Sequence, residues 1–176
     1  MRRLLGVAAL ALGITVAVAA CGSTSSGSSP GGSPSGSPGA AGTAYLAAVE
    51  PYNNAEQEIV RRQAKFCDLT TGSLADCQTA YRDDLSNTQK FLTRLRGLTV
   101  PPDAQATLAT FITDTTAEVT ALQHTSAAPT LVAIAKVAGA ELLPAQLSSH
   151  HDAIAVRRAL NLPAPGAGAS PSPRPT

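Results

Sequence analysis

The stretch Thr99-Val100-Pro101-Pro102-Asp103 interrupts a long run of helix-forming sequence and sets the fold of the chain. Proline has no backbone N–H and crowds the preceding helical turn, so two consecutive prolines do not continue a helix. Proline is tolerated in the first turn of a helix, where an acidic residue also favours the positive end of the helix dipole. This stretch therefore predicts the end of one helix and the start of another.

Apolar residues recur at alternating spacings of three and four on both sides of this break, as they do on the buried face of an amphipathic helix. The four stripes of this kind cover Tyr45–Phe66, Cys77–Leu98, Ala104–Leu122 and Leu131–Leu160. We expect Pro144 to kink or split the fourth helix. Since short loops join the stripes, the sequence predicts an all-α domain, a four-helix up-down bundle.

Composition divides the chain into a targeting segment, a linker, the bundle domain and a tail, at residues 1–20, 21–42, 43–162 and 163–176 respectively. The linker and the tail are rich in glycine, serine and proline and have little apolar surface to bury, so we expect both to be disordered. A flexible coil of the linker's length has a root-mean-square reach of about 25 Å. It is expected to act as a spacer.

The N-terminus has the three parts of a signal peptide: the positive residues Arg2 and Arg3, the apolar segment Leu4–Ala20, and small residues at its end. The alternative is a retained membrane-spanning helix, but the apolar segment barely reaches the roughly 20 residues that a bilayer core requires. Val18-Ala19-Ala20-Cys21 resembles the bacterial lipobox, in which the cysteine receives acyl chains such as palmitate. The sequence therefore predicts a lipoprotein, anchored through Cys21 at the extracytoplasmic face of the cell membrane.

Lipid attachment at Cys21 leaves Cys67 and Cys77 as an even pair in an oxidising compartment. One ends the first predicted helix and the other begins the second, so a disulfide would staple the helical hairpin between them. The alternative is a redox-active pair, but their spacing lacks the Cys-x-x-Cys geometry that tunes thiol reactivity. We expect a structural disulfide.

Three short motifs together resemble those of a set of small helical lipoproteins common in actinobacteria. The motifs are Pro51-x-Asn53-x-Ala55, the L-x-x-L-x-x-P-P pattern at 95–102, and D-A-I-A-V-R-R-A-L-N-L-P at 152–163. The resemblance covers most of the domain and implies a secreted helical bundle, but no assigned activity comes with it. Where such proteins often have Leu-Gly-Leu-Pro, this chain has asparagine, Asn161, in place of the glycine.

The charge of the bundle domain argues against nucleic-acid binding. Three of the thirteen basic residues, Arg2, Arg3 and Arg174, lie outside it, so ten basic residues accompany the twelve acidic ones. A nucleic-acid binder usually has a clear basic excess or a basic stripe. We expect no nucleic-acid partner.

The histidines do not form a metal site by spacing. His150 and His151 are neighbours and diverge by about 100° on a helix, so one metal ion would need further ligands. Glu141 or Asp152 could assist one of them, while His124 lies at the end of another helix. The spacing of di-iron bundles is absent. We expect no metal and no cofactor.

No catalytic constellation stands out either. A Ser149–His150 pair on a plain helix lacks the opposed geometry and the oxyanion hole that nucleophilic catalysis requires. Glu56, Asp84 and Asp152 fall on or near inner faces, where acids in a bundle more often pair with arginines than perform acid–base chemistry. We therefore do not expect an enzyme.

Two functions remain. The first is a non-enzymatic interaction or structural module, held outside the membrane and contacting an envelope protein or a cell-wall partner. The alternative is a carrier of a small ligand, lipid or metal between the helices. Its basis is a set of polar residues on core stripes: Tyr45, Tyr52, Tyr81, Glu56 and Asp84. An internal cavity would favour the carrier, and a flat exposed apolar patch would favour the module.

Overall fold

A computed structural model describes residues 39–163 and confirms the all-α four-helix architecture. The predicted signal peptide, the predicted lipid-attachment residue Cys21, most of the predicted linker and nearly all of the predicted tail lie outside the described residues. The helices are α1 (Ala40–Phe66), α2 (Leu74–Arg96), α3 (Pro102–Ala127), α4 (Leu131–Val137) and α5 (Leu143–Ala159), with a π-helical turn (Ala138–Leu142) between the last two. The first helix starts within the sequence range expected for the linker.

The helices pack in the order in which they follow one another. α1 packs against α2, α2 against α3, and α3 against α5. At the end of the bundle where α1 begins, Phe91, Leu95, Phe111 and Val156 belong to the largest apolar core. Tyr45 of α1 is 1% exposed in the same core and connects α1 to α5. The result is the expected up-down bundle.

The breaks between helices follow the sequence signals. Pro101 has an extended backbone before α3, and Pro102 occupies its first turn, where a missing N–H costs nothing. Ser73 caps α2 by accepting a hydrogen bond from the Asp76 backbone N–H. Thr130 does the same for α4. Each cap satisfies a backbone donor that the first helical turn leaves free.

The fourth arm, which we define as Leu131–Ala159, is continuous but irregular. Its π-helical turn ends at Leu142, and Pro144 lies in the first turn of α5. A π-helical turn shifts the backbone hydrogen bonds by one residue, so the helix tolerates the missing backbone N–H of Pro144. The irregularity expected at Pro144 is therefore found, mostly in the turn that precedes it.

The outer face of the fourth arm is uncovered and exposes large apolar side chains alongside polar ones such as Lys136 and Glu141. Val132, Leu143 and Leu147 are exposed large hydrophobic residues. By length and composition the arm is apolar enough to cross a membrane, and only 11% of its most apolar window is buried within the bundle. The core helix of a soluble protein can pass the same test, but such a helix is mostly buried. This arm therefore presents unusual apolar surface.

The C-terminus of α5 explains why an asparagine can stand at position 161, where the resemblance led us to expect glycine. Asn161 has a φ of 55°, and it is the one non-glycine residue with positive φ in the part described. The Leu162 N–H donates to the Arg157 carbonyl, and the Asn161 N–H donates to the Arg158 carbonyl. These are the two bonds of a Schellman motif, in which asparagine is the usual substitute for glycine.

Candidate ligand site in the bundle core

The cysteines predicted to pair do so. Cys67 and Cys77 form a disulfide with their Cα atoms 4.9 Å apart. In the loop that it closes, the Asp68 carboxylate accepts hydrogen bonds from the backbone and side chains of Thr70 and Thr71. These bonds hold the pKa of Asp68 well below its usual range. The disulfide joins the end of α1 to the start of α2, which is the position of a structural cross-link in a helical hairpin.

Acidic side chains from three helices meet in the interior, about midway along the bundle. They are Glu56 of α1, Asp84 of α2 and Glu118 of α3, which we call the acidic cluster. Asp84 is 1% exposed and Glu118 is 4% exposed, whereas Glu56 is partly buried. Helical spacing explains their placement, because each lies three or four residues from an inward-facing neighbour on its own helix.

Neutral donors satisfy part of the cluster. Gln63 Nε2 donates to Asp84 Oδ2 at 2.8 Å, and Thr88 Oγ1 lies 3.4 Å from Asp84 Oδ1. Asn87 Nδ2 donates to the Tyr52 carbonyl at 3.1 Å and lies 3.4 Å from a Glu56 carboxylate oxygen. These contacts come from α1 and α2 alone, so they hold the cluster from one side of the bundle.

Positive charge is missing from the cluster. In the part of the chain that the structure describes, the salt bridges involve other residues, such as Arg62 with Asp83 on the surface. Burial in the first place, and the negative charge of Asp84 in the second, raise the pKa of Glu118 to about 7. Burial and the neighbouring acids also raise the pKa of Glu56, and burial raises that of Asp84. The cluster therefore holds protons near neutral pH.

Tyr52 lies between the acidic cluster and the aromatic residues of the core. Its ring stacks on Phe91 with centroids 4.4 Å apart. Burial raises the pKa of the Tyr52 hydroxyl well above its usual value, and the charges of Glu118, Glu56 and Asp84 each add to this effect. The Tyr52 ring therefore packs in the aromatic core, while its hydroxyl is close enough to all three acids to be affected by their charges.

The fourth arm contributes Gln146 and Ser149 to the same region. Both side chains lie near the Glu118 carboxyl and lower its pKa as hydrogen-bond donors, although burial outweighs them. Ser149 is 7% exposed, and its hydroxyl makes no hydrogen bond of good geometry. Buried hydroxyls are nearly always hydrogen-bonded in native proteins. The Glu118 carboxyl is the acceptor that this hydroxyl faces, and all four sides of the bundle contribute polar groups to its surroundings.

The spacing of the acids does not suit a metal ion. Within residues 39–163 no group of three histidine, cysteine or acidic side chains is close enough to hold one. Metal–oxygen bonds of about 2.0–2.6 Å require tightly convergent ligands.

The histidines lie apart from this cluster. His150 and His151 are exposed, with ring centroids 6.5 Å apart. His124 Nδ1 instead lies 2.7 Å from a carboxylate oxygen of Glu141. Sequence reasoning placed His124 and Glu141 apart, because it did not include the packing of α3 against the π-helical turn.

Two expectations about inner-face acids need correction. Glu56 and Asp84 do face inward, but they contact amides, a hydroxyl and other acids rather than arginines. Asp152 is not in the cluster and lies beside Asp114 of α3; burial and that acid raise its pKa. Sequence reasoning missed Glu118, although its spacing of three from Thr115 and four from Leu122 placed it on the inner face.

A scan against models of protein families, a search of curated proteins and a search of solved structures each found no match for this chain.

Proposed function

We propose that this chain is an exported, lipid-anchored envelope protein whose bundle carries a small polar ligand between its helices, without catalysing a reaction. The observation that supports the carrier is the acidic cluster: Asp84 and Glu118 are buried and, among residues 39–163, form no salt bridge with a basic side chain. Burying a carboxylate without a compensating charge is costly, so such groups are usually paired or protonated. Protonation relieves this cost in the unliganded bundle, and a bound ligand that donates hydrogen bonds would take its place. The interaction module expected first from the sequence would instead bind through an exposed apolar patch, such as that of the fourth arm.

The cluster also differs from what simple packing requires. Leucine or alanine would fill the same positions of a bundle core, since volume-conserving apolar residues pack well there. Three acids and a buried hydroxyl make the core less stable in the absence of a partner. Their convergence from α1, α2, α3 and α5 favours a binding role over a structural one.

Native mass spectrometry of the lipoprotein extracted from envelopes in mild detergent tests the carrier. We expect wild-type protein to retain a bound small molecule and the Glu118→Gln variant to lose it. Glu141→Gln is the matched control, because Glu141 is exposed and outside the cluster. Wild-type protein found only at the mass of the acylated chain would overturn the proposal.

The anchor is tested separately, through Cys21. The wild-type mature chain should begin at Cys21 and carry the mass of its acyl groups, and it should fractionate with membranes. Cys21→Ser should remove the acyl mass and leave the protein uncleaved or released. A soluble wild-type chain that begins at another residue would show that the lipobox reading is wrong.

A second candidate function rests on the uncovered face of the fourth arm, with Val132, Leu143 and Leu147. Its occupant would be the lipid surface itself. The contact between Tyr45 and Ala153 holds the start of α1 beside the end of this arm. An apolar helix face tethered near a bilayer can lie in the headgroup region.

This candidate is tested by fluorescence quenching in vesicles of phosphatidylglycerol that contain spin-labelled lipid. A fluorophore attached at Leu147→Cys should be quenched, whereas one at Val60→Cys should not, although Val60 is also an exposed apolar residue. Equal quenching at both positions would exclude contact through the fourth arm.

A further inference from the structure

We propose that one end of the bundle is a docking surface for the headgroups of anionic membrane lipids. We call it the basic end and define it by the four helix termini that meet there: the start of α1, the end of α2, the start of α3 and the end of α5. The inference rests on the lipid anchor proposed above. It concerns how the anchored bundle stands on the membrane, and it is independent of any ligand between the helices.

Apolar packing brings these four termini together. One core cluster contains Tyr45 near the start of α1, Leu95 near the end of α2, Ala104 near the start of α3 and Val156 near the end of α5. The hydrogen bond from the Tyr45 hydroxyl to the Ala153 carbonyl joins the two helices at the outer ends of this row. The side chains of these terminal turns therefore lie at one end of the protein.

Arginines dominate the terminal turns of the basic end. Arg94 and Arg96 lie in the last turn of α2, and Arg157 and Arg158 lie in the last turn of α5. The first turn of α3 has one acid, Asp103, and the first turn of α1 has none. Four arginines against one acid leave a net charge of +3. None of these arginines forms a salt bridge within residues 39–163.

Charges farther along the helices do not extend this excess. Lys90 of α2 and Glu50 of α1 are both exposed and offset each other. Asp114 and Asp152 lie beside one another nearer the middle of α3 and α5. The positive charge is therefore confined to the surface that a bilayer facing this end would meet first.

The helix dipole alone does not explain the arginines. Cations are favoured at every helix C-terminus, so the dipole would place them at the ends of α1 and α3 as well. There the last turns contain only Lys65 and His124 as basic residues. Asp76 in the first turn of α2 and Asp68 in the preceding loop offset them. The positive excess belongs to one end, which favours an anionic partner at that end.

The arginines are spread over an extended surface. α2 and α5 stand at diagonal corners of the bundle, because α2 packs against α1 and α3, whereas α5 packs against α3. Arg94 and Arg158 are exposed. Arg157 Nε donates to the Pro163 carbonyl at 2.9 Å, and Arg96 is directed toward α3. Charge that is spread in this way fits a layer of phosphate headgroups better than it fits one small anion in a cleft.

The proposed anchor would hold the basic end, and not the opposite end, near the membrane. Eighteen residues separate Cys21 from Gly39, and a flexible chain of that length has a root-mean-square reach of about 25 Å. α1 has 27 residues and is therefore about 40 Å long, so the opposite end lies much farther from the anchor. Each lysine or arginine near an anionic surface contributes roughly fivefold to association. Four such charges suffice for docking because a tether keeps the effective concentration high.

The test is resonance energy transfer from the acylated full chain to an acceptor on lipid headgroups in vesicles. A donor attached at Thr99→Cys reports on the basic end, and one at Ala127→Cys reports on the opposite end; both residues are exposed. The vesicles contain phosphatidylcholine alone or equal parts of phosphatidylcholine and phosphatidylglycerol. We expect transfer from Thr99→Cys, but not from Ala127→Cys, to rise in the anionic vesicles. Concentrated salt should abolish the rise, because it screens the charges.

Variants locate the surface. Arg94→Gln/Arg158→Gln should lower the ratio of docked to undocked protein roughly 30-fold in anionic vesicles, because two contributions of roughly fivefold are lost. Arg61→Gln/Arg82→Gln is the matched control, since it removes the same charge from exposed positions nearer the opposite end. Both double variants should keep the circular dichroism of the wild type, which separates loss of docking from loss of the fold.

The outcomes distinguish docking from anchoring. Equal transfer from Thr99→Cys in neutral and anionic vesicles would overturn the docking and leave the anchor, which attachment to neutral vesicles tests by itself. A failure to attach to neutral vesicles would overturn the anchor and this inference with it.

The remaining outcomes concern other modes of contact. An equal rise from Ala127→Cys would show that the bundle lies flat, as contact through the fourth arm requires, and would overturn docking by the end. An equal loss in both double variants would show that only overall charge matters. A response to added poly(glycerol phosphate), with none to phosphatidylglycerol, would replace the membrane by a wall polyanion.

Discussion

The Tyr45 hydroxyl donates a hydrogen bond of 3.3 Å to the main-chain carbonyl of Ala153, a residue 108 positions later in the chain. The ring of Tyr45 is buried in the core at this end of the bundle. Burial raises the pKa of this tyrosine to about 12, so it stays neutral and keeps its proton for donation. One side chain thus ties the first helix to the last.

Tyr45→Phe tests this tie. The variant keeps the buried ring and loses only the hydroxyl, so we expect the free energy of unfolding to fall by about 1 kcal/mol. Tyr45→Ala also leaves a cavity and should cost about 3–5 kcal/mol. Urea denaturation followed by circular dichroism measures both. A phenylalanine variant as unstable as the alanine variant would show that the hydroxyl contributes more than a single hydrogen bond.

The acidic cluster predicts that the protein loses stability as pH rises. Folding raises the pKa of Glu118 from 4.5 to about 7, so the folded state binds its proton more tightly than the unfolded chain does. This stabilisation is complete below about pH 4.5 and is lost as pH rises through 7; for Glu118 alone it is on the order of 3 kcal/mol. Glu56 and Asp84 act in the same direction.

The measurement is the free energy of unfolding at several pH values between 5 and 8. Wild-type protein should be more stable at pH 5, and Glu118→Gln should reduce that difference and be the more stable protein at pH 8. Glu50→Gln is the control, because Glu50 is exposed on α1. A wild-type stability that rises across this range would contradict the assignment of these groups as protonated acids.

Removal of the disulfide should weaken the bundle without unfolding it. The bond spans a sequence separation of 10 residues, for which loss of chain entropy in the unfolded state accounts for about 3 kcal/mol. The double variant Cys67→Ala/Cys77→Ala should therefore melt at a lower temperature and remain helical. Mass mapping without reduction should show the two cysteines joined. Free thiols at both positions in protein taken from the envelope would refute the disulfide.

His150 and His151 should be dispensable. Both are exposed, and neither forms a salt bridge within the described residues. Replacing both by glutamine should leave the melting temperature and the metal content of natively purified protein unchanged. His124→Gln should instead lower stability by up to about 1 kcal/mol, because it removes an exposed pair with Glu141. Stoichiometric metal lost on replacement of His150 and His151 would favour a metal carrier.

Asn161 should tolerate glycine but not a β-branched residue. Its φ of 55° lies in the left-handed region, which glycine adopts without strain. Asn161→Gly should change the free energy of unfolding by less than about 1 kcal/mol, whereas Asn161→Val should destabilise by about 1–3 kcal/mol. Thermal melts of the two variants compare them directly. Equal melting temperatures would show that the Schellman motif does not constrain this residue.

Local signals in the sequence determined the helices, their ends and the disulfide. The Pro101-Pro102 break separates α2 from α3 because proline affects the backbone of its own neighbours. The apolar stripes predicted which faces turn inward, and they placed Glu56 and Asp84 correctly. Cys67 and Cys77 could be paired because assigning Cys21 to the lipobox leaves two cysteines, which lie on either side of a short hairpin turn. Each of these inferences depends on residues close together in the chain.

Only the tertiary structure decided what those inner faces meet. Glu118 joins Glu56 and Asp84 because three helices pack side by side, and no periodicity within one helix reveals its neighbour's register. The same holds for Ser149, whose hydroxyl is buried beside the Glu118 carboxyl because α5 lies against α3. It also holds for the contact between His124 and Glu141, which crosses from α3 to the π-helical turn. Burial and electrostatic coupling are sums over neighbours in space, so the acidic cluster emerged only once the bundle was assembled.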